Sequence, residues 1–291
     1  MANQPPLTVS RFERRFGRLP MTAVVGSARW VAAQRARESE RRDRLFFDPL
    51  APVLSGQEGM AALQLSEKYN PRYEDTANYI ALRTRFFDDV AQSDGTLGIR
   101  QIVLPAAGMD ARAYRISWRD GTTLYEIDHP ELLAAKEKIL QAQRRAPECR
   151  RITIGADLTQ DWIHLLVDSG FKSNERSTWL IEGLFYYLDE PAVNRILMDV
   201  SRLAAPSSVL VTDLVSRSLL TSPWMQQVLK AMEEQGMGWR FGTDDPVGLF
   251  AVHGWDAVIT DPGEEGAKYD SQRFPVRPRS SWSFFVVARR M

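Results

Sequence analysis

The sequence predicts an α/β protein: a seven-stranded, mainly parallel sheet with helices on both faces and its last strand reversed, behind a helical N-terminal extension. Three observations carry this. Short apolar runs alternate with helix-period segments after residue 98, which implies parallel strands joined by crossover helices. No long helix fits between the sixth and seventh runs, where Pro262, Gly263, Gly266, Pro275 and Pro278 crowd the chain, so the final pair reads as an antiparallel hairpin. Before residue 98 the pattern is helical only.

In chain order, residues 1–20 are polar with Pro5, Pro6 and Pro20 and read as a loose arm. A helix is expected from Thr22 to about Arg44, a break at Asp48-Pro49, and a second helix over 57–93 with an apolar stripe from Tyr69 to Val90. The strand candidates are Ile102–Leu104, Leu124–Asp128, Arg151–Gly155, Thr178–Ile181, Ser208–Leu214, Ala257–Thr260 and Trp282–Ala288. Helical patterns at 110–116, 130–145, 159–170 and 189–204 separate the first five. The division is therefore residues 1–97 as a helical cap and 98–291 as a core, interrupted by an insertion over 217–250. Trp224, Met225, Met232, Met237, Trp239, Phe241 and Phe250 in that insertion suit either core packing or a lid over an apolar pocket.

Composition narrows the function. Lys plus Arg equals Asp plus Glu at 37 each, which gives no footing for nucleic acid or an anionic membrane. The arginine-rich stretch from Arg11 to Arg44 reads as a solvated helical face. Cys149 is the one cysteine, so neither an intrachain disulfide nor a cysteine zinc cluster is expected. His129, His164 and His253 are scattered without metal-ligand spacing, and no nucleophile elbow is present. With no apolar run long enough to span a bilayer and no signal-peptide core, a cytoplasmic enzyme is the expectation.

The chemistry-bearing residues cluster where strands end. Ala106-Ala-Gly108 is a small-residue turn after the first strand, and Asp128 closes the second at 128 − 108 = 20 residues, a nucleotide-binding spacing. Ala106 stands where such a turn has its first glycine, and G-x-G-x-x-G is absent, which argues against a dinucleotide. Glu126 and Asp128 share a face of the strand, and one is expected to grip a ribose diol; Asp128 could instead cap the helix that follows. Asp157 and Leu158 close the third strand and can meet a base edge and its ring, or start a helix. Glu182, leaving the fourth strand, suits a cationic group or a structural arginine. Arg83 and Arg85 cannot point the same way on a helix, so one is expected at the surface.

Seven strands with a reversed last one is the class I methyltransferase architecture. The segments Gln34–Glu38, Phe47–Ala51, Arg83–Asp88, Ala107–Arg112, Tyr125–Pro130, Gly155–Leu158 and Ile181–Tyr187, in that order, resemble the leucine carboxyl methyltransferase family, in particular its bacterial S-adenosylmethionine-dependent O-methyltransferases, similar to carboxyl methyltransferases that tailor aromatic polyketides. The resemblance implies that Arg83, helped by Arg35 and Arg37, holds the methionine carboxylate and that Gly108 underlies the methionine part. It implies Asp128 on the ribose, Asp157 and Leu158 on the adenine, and Glu182 and Tyr187 near the amino group and the reacting methyl. The expected reaction is O-methylation of a small apolar or aromatic acceptor, giving a methyl ester, with a hydroxyl acceptor as the alternative. A nicotinamide oxidoreductase, a non-catalytic cofactor binder and a protein C-terminal carboxyl methyltransferase are the competing readings.

Overall fold

The computed structural model describes residues 21–70, 72–96, 98–275 and 283–291. The expected N-terminal arm, and the tip of the expected final hairpin, lie outside those residues. Seven strands form one sheet: β1 (Gln101–Pro105), β2 (Thr123–Asp128), β3 (Arg150–Gly155), β4 (Ser177–Ile181), β5 (Val209–Val215), β6 (Trp255–Thr260) and β7 (Ser283–Arg290). Their order is β3-β2-β1-β4-β5-β7-β6. The first five run parallel, and β7 lies antiparallel between β5 and β6. The sequence prediction of a mainly parallel sheet with a reversed last strand holds.

The central strands β1, β4 and β5 are buried along their whole length. That explains why they read as continuous apolar runs rather than alternating ones. The two-residue period still sorts their side chains: Ile102 and Leu104 enter one core cluster while Val103 enters the other. One face is covered by α6 (Ile163–Asp168) and α7 (Glu190–Leu203). Helix α7 begins where the Asp189 carboxylate accepts the Ala192 N–H, and Val193, Ile196, Leu197, Val200 and Leu203 form its buried stripe. The opposite face is covered by α1 (Met21–Glu40) and α3 (Tyr73–Thr96), whose Ala32, Leu82, Phe86, Phe87 and Ala91 share a cluster with β1 and β5.

The single helix expected over 57–93 is two: α2 (Ala51–Tyr69) and α3. Asn70 between them is extended, at φ −94° and ψ 107°, the conformation a following proline imposes, and Pro71 follows it. The expected helix over 110–116 is a single turn, α4 (Arg112–Arg115), and that over 130–145 is α5 (Pro130–Ala142). Behind β6, α11 (Pro262–Ala267) leads into a segment that fastens the extension to the core. There the Arg273 guanidinium donates to Glu38 on α1 and to Asn78 on α3.

The insertion divides. It contains α8 (Arg217–Thr221), α9 (Gln226–Glu234) and α10 (Pro246–Ala251). Phe241 and Phe250 are core residues, whereas α9 buries nothing and lies over the carboxyl ends of the strands.

Candidate active site

The carboxyl ends of β1 to β4 open into a cavity of about 2800 Å³, well above the roughly 300–1,000 Å³ that one small ligand needs. Its floor is the turn after β1. Ala106 sits at φ 57° and Gly108 at φ 51°, both left-handed. Ala106 thus adopts the glycine-like conformation despite its methyl, at a cost of about 1–2 kcal/mol. A Cβ on Gly108 would stand 3.4 Å from the Ala28 Cβ, so α1 roofs this turn closely.

Asp128 is 6% exposed and locks the turn to β2. The Gly108 N–H donates to its Oδ2 at 2.7 Å and the His129 N–H to its Oδ1 at 2.7 Å. Burial raises its pKa even against these two bonds. It does not cap α5, whose N-cap is His129. Glu126 is removed from the site: Lys136, fully buried on α5, donates to it at 2.8 Å, and Arg151 donates to both its oxygens. Two carboxylates on one strand face therefore have separate jobs, because α5 covers the earlier one.

Asp157 and Leu158 line the cavity after β3. Asp157 Oδ1 accepts the Thr159 N–H at 2.9 Å and its hydroxyl at 2.6 Å, an Asx turn that precedes α6 rather than capping it. Leu158 is buried with its face to the cavity.

Glu182 ends β4 between two arginines. Arg83 Nε donates to its Oε1 at 3.0 Å, and Arg112 Nη1 lies 2.8 Å from its Oε2. Burial alone would raise its pKa, but Arg112 and Arg83 together hold it below the usual carboxylate range. The structural-arginine alternative is thus realised twice. Arg83 Nη1 also donates to the Tyr186 hydroxyl at 3.0 Å and to Asp213 at 3.1 Å. Arg85 turns outward to Asp89, as the helix period requires.

Arg35 is buried and donates to Asp48 and to the Met109 carbonyl at the floor of the cavity. Arg37, expected to help hold the methionine carboxylate, does not line the cavity. Two residues on from Arg35, it faces outward with 47% of its side chain exposed and pairs with Glu67 at 2.7 Å. Tyr187 lines the cavity, its ring 4.8 Å from that of Tyr186. Above it stands an apolar wall of Trp30, Met225, Met232, Met237 and Trp239, reaching Leu65, Tyr69, Trp224 and Val228 at the rim. The rim residues are 47–68% exposed.

Sequence reasoning missed Arg112, Asp110 and Asp213. Arg112 pairs with Asp88, Asp110 and Glu182. Burial would push the Asp110 carboxyl up, yet Arg112, Lys136, Arg115 and Arg35 bring it down to about 2. A signal existed for the first two, since Asp110 and Arg112 sit in the quoted segment Ala107–Arg112. Cys149 is far from reactive: burial pushes its thiol up to about 12.

The donor set fits an amino-acid-bearing nucleoside: a buried carboxylate at a small-residue turn, a second carboxylate beside an apolar leucine, and a carboxylate–arginine group one strand further on. This sheet order, with a cavity at the carboxyl ends of the strands, is that of the class I, Rossmann-like methyltransferase fold. Comparison with known proteins agrees. The family model for leucine carboxyl methyltransferase matches residues 28–201, and the chain belongs to that family. A Frankia alni protein named as a candidate S-adenosyl-L-methionine-dependent methyltransferase is 38% identical over 243 residues, 81% of this chain and 82% of its own. One from Streptomyces coelicolor, named likewise, is 35% identical over 85% of this chain and 88% of its own. Against a Parafrankia relative at 44% identity, the match spans 63% of this chain and 60% of the relative. A crystal structure of a candidate methyltransferase from Thermobifida fusca shares the fold with a TM-score of 0.60 at 15% identity, covering 94% of this chain and 96% of that one. The cofactor of this protein is S-adenosylmethionine.

Proposed function

We propose that the protein methylates a carboxyl oxygen of a small apolar or aromatic molecule, giving a methyl ester. The cavity carries this reading: it has room for the cofactor and a second molecule, and its outer wall is tryptophan, methionine and tyrosine. On this reading Arg83 and Arg35 face the methionine carboxylate, Gly108 underlies the methionine part, and Glu182 meets the amino group. Asp128 meets the ribose, and Asp157 with Leu158 the adenine. Tyr187 and the insertion border the reacting methyl and the acceptor. The described helices before residue 98 act as a cap over the core, and we assign the enzyme to the cytoplasm. Among the described residues no helix is long and apolar enough to cross a membrane.

When bound, S-adenosylmethionine would supply an activated methyl group for transfer to the acceptor oxygen, with the neutral thioether as leaving group. The protein's task is alignment and exclusion of water. A carboxylate acceptor is ionised at neutral pH and needs no base. The charged groups favour this acceptor. Burial sets Tyr79 and Tyr186 well above the usual phenol range, and Glu182 is held low between two arginines. Among the described residues, His129 is the one histidine on the cavity wall, and it adjoins Asp128 at the nucleoside end.

The test is transfer of a labelled methyl group to matched acceptors, an aromatic acid and its phenol analogue, after calorimetric confirmation of S-adenosylhomocysteine binding. A base-labile product, released as methanol, is expected from the acid alone. A base-stable ether on the phenol would replace the ester reading with hydroxyl methylation.

A further inference from the structure

We propose that Asp213, at the carboxyl end of β5, is the residue that aims Arg83, a positioning residue for the methionine end of the cofactor. The inference rests on the reading of Arg83 given above. Asp213 is fully buried and does not line the cavity, so it cannot itself touch a ligand. It instead joins three elements. Its Oδ1 accepts the Gly183 N–H at 2.7 Å. Its Oδ2 accepts from Arg83 Nη1 at 3.1 Å and from the Tyr79 hydroxyl at 3.2 Å. Tyr79 and Arg83 lie four residues apart on α3, so one carboxylate oxygen grips one helix face through both. Gly183, at φ 69°, is the residue after Glu182; a Cβ there would stand 3.2 Å from Arg83 Nη1 and 3.2 Å from the Tyr186 hydroxyl.

The division of labour follows from exposure. Arg83 is bracketed by two carboxylates, Glu182 on Nε and Asp213 on Nη1. Glu182 lines the cavity and is open to a competing cationic group. Asp213 is not, so it keeps its hold on the guanidinium whatever occupies the cavity. An arginine left with one anchor can rotate about its long side chain; with two anchors on different nitrogens, its plane is set.

The experiment compares two ligands, S-adenosylhomocysteine and 5′-methylthioadenosine, which share the nucleoside and differ in the amino-acid part. Calorimetric Kd values are measured for wild type, Arg83→Gln and Asp213→Asn; the asparagine keeps an acceptor for Gly183 N–H and removes the charge. Asp213→Asn is expected to weaken S-adenosylhomocysteine by about 10–100-fold while leaving methylthioadenosine within about twofold, the same selectivity as Arg83→Gln. Parallel weakening of both ligands would make Asp213 a merely structural residue and overturn the proposal. So would no weakening of either while Arg83→Gln stays selective. If Arg83→Gln itself is unselective, the reading of Arg83 fails first. Should Asp213→Asn not fold by near-ultraviolet circular dichroism, Tyr79→Phe decides on the same criterion, with a selective loss of about threefold expected and an unselective or absent one overturning the proposal.

Discussion

Replacing Glu182 by glutamine separates what this carboxylate does for the fold from what it does for a ligand. Removing one partner of a buried ion pair costs about 3–5 kcal/mol when the other is left uncompensated. Here neither arginine is left alone. Arg83 retains Asp213 at 3.1 Å, and Arg112 retains Asp88 at 2.7 Å together with Asp110. The expected loss is therefore lower, about 2–3 kcal/mol. At about 2.1 cal/mol/K per residue over 291 residues, the unfolding entropy is about 0.6 kcal/mol/K, so Tm should fall by about 3–5 °C. The pH dependence has a definite sign. Arg112 and Arg83 outweigh burial and depress the folded pKa of Glu182, so its stabilisation is complete above the unfolded pKa and lost as pH falls through the folded one. Scanning calorimetry should show a constant gap between wild type and variant from about pH 6 to 8, narrowing below about pH 4. A gap under about 1 °C at neutral pH, or one that widens in acid, would refute the reasoning.

Three other substitutions follow from the same structure. Asp128→Ala orphans the Gly108 and His129 N–H groups but relieves a buried carboxylate; denaturant melts should show a net loss of about 1–3 kcal/mol, and unchanged stability would mean these bonds carry no weight. Ala106→Gly should be neutral to about 1 kcal/mol stabilising, since relief at φ 57° outweighs the added chain entropy; a loss above about 1 kcal/mol in the same melts counts against strain there. Arg37→Ala should leave the Kd for S-adenosylhomocysteine within about twofold and cost under about 1 kcal/mol, because the Glu67 pair is half exposed; calorimetric loss of binding would return Arg37 to the site.

The sheet was legible because its signals are local. Buried parallel strands are apolar runs, and Asp128, Asp157 and Glu182 mark the ends of three of them. The two-helix break at Asn70-Pro71 was equally local and should have been read from the proline. What sequence could not supply is which acid meets which base across the fold. Glu126 and Asp128 look equivalent on a strand until α5 places Lys136 over one of them. Asp213 looks like any strand terminus until α3, encoded 130 residues earlier, delivers Arg83 to it. The insertion was ambiguous for a different reason: methionine and aromatic rings suit a core and a pocket alike, and the chain uses Phe241 and Phe250 for the first and Met232 and Met237 for the second.

Strand β7 has consequences for how the molecule is made. It is flanked by β5 on one side and β6 on the other, and among the described residues β6 has no other partner in the sheet. During synthesis the five parallel strands can assemble as they emerge, but β6 lacks a strand partner until Ser283–Arg290 has left the ribosome. Completion of the fold is therefore the closing of a gap rather than the addition of an edge. A nascent or truncated chain stopping short of Ser283 would also expose the edges of β5 and β6 that β7 covers, and chaperone binding or aggregation should report that state before any loss of the nucleoside half.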